Sequence, residues 1–135
     1  MNDRPTAGEL LESVERLLRD DVIPALDGHL KFQARVAANV VAIVGREWAS
    51  EDTQLESEWD RLNALFAEST APPLHRAALR DGIRARTQTL VERIRAGEAD
   101  DGPFRTELVA HLRQTVADKL TVALGPAEEE SRETK

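Results

Sequence analysis

Asp27–Trp48, DGHLKFQARVAANVVAIVGREW, is apolar over most of a helical wheel and shows no two-residue alternation, so it reads as the central helix of a small bundle. Arg35 and Asn39 stand inside it, one turn apart. Together with Lys31 and Arg46 they fall within an arc of roughly 80° on the 3.6-residue period, bordered by Phe32, Val36 and Ile43. An arginine buried there is costly unless it is paired. The expected structural partner is a carboxylate such as Glu12, Glu15 or Asp118. The functional alternative is an anion site in which Arg35 forks a carboxylate or phosphate, Asn39 adds a hydrogen bond, and His29 and Lys119 join.

Working outward from this segment, Thr6-Ala7-Gly8-Glu9 is a capping box, and Leu10, Leu11, Val14, Leu17 and Leu18 follow at helical spacing. A first helix is expected over 6–21, ending before Pro24, which has no amide hydrogen to donate. Asp27 then caps the second, 28–48. Ser50 with Glu51 and Asp52 signals a third helix over 51–67, with Leu55, Trp59, Leu62 and Phe66 as its apolar stripe. Pro72-Pro73 enforces a loop. A fourth helix is expected over 74–96, with Leu79, Ile83, Leu90, Val91 and Ile94 inward, Gly82 as a point of interruption and Gly97 as a left-handed terminator. A fifth, 104–124, aligns Phe104, Leu108, Leu112, Val116 and Leu120. The class is therefore all-α, an antiparallel bundle of about five helices forming one domain over 1–124, with an acidic, disordered tail over 125–135.

Composition excludes several functions. The formal net charge of −7 opposes nucleic-acid binding, which needs a basic surface. Neither a signal peptide nor a run of membrane-spanning length occurs, so a cytoplasmic protein is expected. The chain contains no cysteine and no tyrosine, removing disulfides, thiolate chemistry and one acid-base group. The seven glycines are scattered singly, which leaves no phosphate-cradling loop. No Glu-x-x-His or His-Glu-x-x-His motif is present; Glu107 and His111, one turn apart, are the nearest approach to a metal pair, and no metal or cofactor is expected. No catalytic residue is assigned, and an enzyme is less favoured than an interaction protein.

Charge is unevenly spread. Residues 50–68 hold six acids and one arginine, while 74–96 hold six arginines and two acids. Two packed helices with attracting rims explain this most simply. Alternatively Arg76, Arg80 and Arg84, at i, i+4 and i+8, form a basic ridge for an acidic partner. Trp48 and Trp59 are expected to close the bundle end rather than to stack a ligand.

The order of the segments RPTAGELLESVERLL, VIPALDGHLKFQARVAANVVAIVGRE, IRAGEAD and LVAHLRQTVADKL resembles an uncharacterised family of small bacterial helical proteins. Its members are encoded beside aminoglycoside-phosphotransferase-like kinases and acyl-CoA dehydrogenases. The strongest pieces are Arg4-Pro5-Thr6, Arg35-Val36-Ala37-Ala38-Asn39, Ile94-Arg95-Ala96-Gly97 and Lys119-Leu120. The resemblance implies a non-catalytic accessory protein whose partner is a kinase of that type or an acyl-CoA-handling enzyme, with room for a homodimer. A small enzyme or ligand-binding domain built on Arg35 and Asn39 is the alternative.

Overall fold

The structure, a computed structural model, describes residues 4–125; the expected tail from 126 onward lies outside the described residues. Within them every regular element is a helix. There are four helices rather than about five. The first begins at Thr6, whose hydroxyl accepts from the Glu9 amide at 3.3 Å while the Glu9 carboxylate accepts from the Thr6 amide at 2.7 Å. It runs as α-helix over Ala7–Leu17, widens into a π segment over Leu18–Val22, and closes with a short turn at Ile23–Ala25. The expected end at residue 21 is thus replaced by a wider coil. A π turn ahead of Pro24 accommodates a residue that can neither donate to the helix nor pack against the carbonyl four residues back.

The second and third expected helices are one, Gly28–Phe66. Nothing between them breaks a helix, because the segment has no proline and Gly45 keeps helical backbone with its α-carbon facing Leu11. Ser50, read as a cap, instead donates its hydroxyl to the Arg46 carbonyl at 2.8 Å, a bond made inside a continuous helix. Ala67, at φ 52°, then ends the long helix. The third helix is Arg76–Arg95, terminated by Gly97 at φ 87°, and the fourth is Gly102–Leu124.

The chain divides into two compact units, Met1–Ser50 with Thr121–Lys135, and Glu51–Leu120. In the first unit, Leu11 lies against Gly45 and Arg19 donates to Asn39 at 3.1 Å, so the first helix runs antiparallel to the long one. Arg46 donates to the carbonyls of Val122 and Ala123 at 2.7 and 3.1 Å, satisfying the last turn of the fourth helix, whose carbonyls have no partner within it. Among the described residues of this unit, the buried ones are Ala34, Ala38 and Ala42. Small side chains let helices approach closely, yet they bury little apolar area.

The second unit has a conventional core. Trp59, Leu62 and Leu65 of the long helix meet Leu79, Ile83 and Leu90 of the third and Leu108 of the fourth. The Trp59 indole donates to the Thr70 carbonyl at 2.8 Å, and the Arg86 guanidinium stacks over its ring at 4.0 Å. Arg86 also donates to Asn63, Glu68 and Thr70, which fixes the loop after the long helix. Gly82 does not interrupt the third helix. A β-carbon there would lie 2.8 Å from Cζ3 of Trp59, so glycine is what lets the indole seat. Gly82→Ala should therefore destabilise the protein, because overpacking costs about 1–3 kcal/mol against a helix-propensity gain of about 1 kcal/mol. Denaturant titration showing a stabilised variant would contradict this packing.

Candidate functional site

Arg35 and Asn39 do face one recess, of about 300 Å³, and it is lined also by Arg19 and Ile23. Its geometry differs from the buried pair expected. Both residues are exposed, and the three carboxylates considered as partners for Arg35 are engaged elsewhere. Glu12 pairs with Arg16 at 3.0 Å, Glu15 with Arg19 at 2.8 Å, and Asp118 with Arg61 at 3.1 Å. Asn39 uses its carbonyl oxygen to accept from Arg19. Arg35 has no hydrogen-bond or ion-pair partner among the described residues, so it keeps a full fork of donors for a carboxylate or phosphate. Arg19 joins this recess without having been singled out by sequence, since only the antiparallel register of the first helix carries it there. His29 stands exposed in the first turn of the long helix, and Lys119 stands exposed in the second unit. Arg46, on the same arc as Arg35, is engaged as the cap of the fourth helix.

The basic ridge is neutralised within the second unit. Arg76 pairs with Glu51 at 3.2 Å and with Asp52 at 2.7 Å, Arg80 also pairs with Glu51, and Arg84 pairs with Asp81 at 3.2 Å. The carboxylates beside Arg76 hold its pKa above the ordinary value, led by the hydrogen bond that Arg76 donates to Asp52. These acids, read from sequence as a helix start, bind the third helix to the long one instead.

A polar cluster in the second unit was not anticipated. Along the fourth helix the inward positions are Phe104, Leu108, His111 and Thr115, with Asp118 beyond them. His111 is 7% exposed. Its Nδ1, the Thr115 hydroxyl and Arg61 Nε are buried atoms lacking a hydrogen-bond partner among the described residues. Burial and then the Arg61 charge push the His111 pKa below its ordinary 6.5. The heptad spacing 104, 108, 111, 115, 118 is the signal that would have revealed this face. Glu107, the other half of the metal pair considered, is exposed, and no group of three or more His, Cys, Asp or Glu among the described residues could hold a metal ion. Nor is any described helix long and apolar enough to cross a membrane.

A family model described as a domain of unknown function (DUF6285) matches residues 24–124, and the chain belongs to that family. Residues 4–18, RPTAGELLESVERLL, lie outside the matched residues. No curated protein and no solved structure gives a significant match.

The state of His111 has a consequence for stability. A histidine whose folded pKa is lowered binds its proton more readily when unfolded, so stability is complete above the unfolded value and declines as pH falls below it. Thermal melting should therefore show a loss of stability on acidification from pH 7 through the ordinary value of 6.5, and His111→Leu should flatten that part of the profile. An unchanged profile in the variant would mean that His111 is not held neutral.

Proposed function

We propose that this member of a family of unknown function is a non-catalytic helical accessory protein of the bacterial cytoplasm that works by protein contact. Its partner, on the company that the family resemblance suggests, is a phosphotransferase-like kinase or an acyl-CoA-handling enzyme. One observation carries the reading. On the fourth helix Leu112, Val116 and Leu120 repeat at four-residue spacing and are each between 45% and 54% exposed, while the same helix turns His111, Thr115 and Asp118 inward. A helix packed on a core with no further partner turns its large apolar side chains inward and its polar ones to water. Large apolar side chains left in a row on the surface mark a contact face, and a row at i, i+4 and i+8 suits a groove that accepts one side of a helix.

Affinity capture with the tagged full chain in its native cells should retain one of those two enzymes, identified by mass spectrometry. The double variant Val116→Glu, Leu120→Glu should lose it while its circular dichroism and melting temperature stay unchanged, since both positions are exposed. Capture of neither enzyme, or equal capture by the variant, would overturn the reading.

A further inference from the structure

The first unit presents a second apolar row on the opposite side of the long helix from its alanines. Phe32, Val36, Val40, Val44 and Trp48 are between 43% and 62% exposed, whereas Ala34, Ala38 and Ala42 are buried. Each step of four residues advances about 40° around a helix, so the five form one inclined ridge centred on Val40. Ridges of this four-residue kind interlock when two helices cross at about −50°. The order of side chains along the ridge reads the same in both directions: aromatic, valine, valine, valine, aromatic.

We propose that this ridge is the contact surface for a second copy of the chain, with the two long helices antiparallel and their twofold axis at Val40. A twofold interface requires that if residue i meets j, then j meets i. Centring on Val40 pairs Val36 with Val44 and Phe32 with Trp48 of the other copy. The neighbouring positions agree. Ala37, small and exposed, pairs with the larger, half-buried Ile43, and Gln33 pairs with Glu47, an amide donor opposite a carboxylate. No like-charged pair falls on the axis. A parallel arrangement has no such correspondence, because it would set Glu47 beside Glu47.

The area fits a second copy. Five large side chains, about half exposed, offer roughly 500 Å² per chain, or about 1,000 Å² for the pair, which is where specific interfaces begin. This surface is distinct from the row on the fourth helix, and the two readings fail separately: pairing is measured on the purified chain alone, enzyme capture is not.

Sedimentation equilibrium of the full chain should give twice its 15.0 kDa mass. Val40→Glu, which sets two carboxylates face to face on the axis, should give a single 15.0 kDa species with unchanged circular dichroism. Because the chain has no cysteine, engineered cysteines test the register even where the charged variant misfolds. Under oxidation Val40→Cys should link to itself, Val36→Cys should remain unlinked, and an equimolar mixture of Val36→Cys and Val44→Cys should link. A chain that stays at 15.0 kDa at all concentrations, a Val40→Glu variant that still pairs, or Val36→Cys linking to itself would overturn the proposal.

Discussion

The structure depends on one uninterrupted helix, Gly28–Phe66, that must supply the buried face of both units. A helix cannot change which residues it offers without changing its sequence, and here the size of the inward residue switches along its length. From Ala34 to Ala42 the buried positions are alanine, and the first helix lies close enough that a β-carbon on Gly45 would sit 3.9 Å from that of Leu11. From Trp59 to Leu65 they are large, and they build the one cluster of big buried side chains among the described residues. The apolar mass missing from the inner face of the first stretch is found on its outer face, at Phe32, Val36, Val40, Val44 and Trp48.

The fourth helix repeats this inversion by other means. Its inner face turns polar after Leu108, so Arg61 and Asp118 meet as a partly buried pair, and burial followed by that arginine's charge lowers the His111 pKa. Buried polar groups with atoms left unpaired weaken a core. Taken with the alanine face, they leave the protein with less apolar burial than its 41% hydrophobic composition would allow. Much of the remainder lies on the surface in ordered rows, and it is on these rows that the two proposed contacts, with another protein and with another copy, are built.

The helical class, the capping box at Thr6, the left-handed terminator at Gly97 and the core positions Trp59, Leu62, Leu79, Ile83, Leu90 and Leu108 were legible in the sequence, because each rests on local chemistry or on strong periodicity. The break at Ser50 was misread since serine followed by acids suits a helix start and a helix interior equally; the acids answer to Arg76 and Arg80, a tertiary fact. The inward faces were misread for a different reason. Leu112, Val116 and Leu120 continue the four-residue spacing of Phe104 and Leu108 and look like one core stripe, yet the inward face of the fourth helix steps from Leu108 to His111 and Thr115. Asn39 and Arg35 were read as buried because the segment around them is apolar on nearly every side, and composition alone does not reveal which side is solvent. The recess they share needed Arg19, which only the register of the first helix brings to it.

Which face of the first stretch of the long helix points inward is the claim on which all of this turns, and paired substitutions measure it directly. Ala38 is fully buried and Val40 is half exposed. Denaturant unfolding of Ala38→Leu should show a loss of about 1–3 kcal/mol from overpacking. At concentrations too low for association, Val40→Ala should be neutral or slightly stabilising, because alanine is the better helix former. The reverse result, a tolerated leucine at 38 and a cavity-sized loss at 40, would contradict the account.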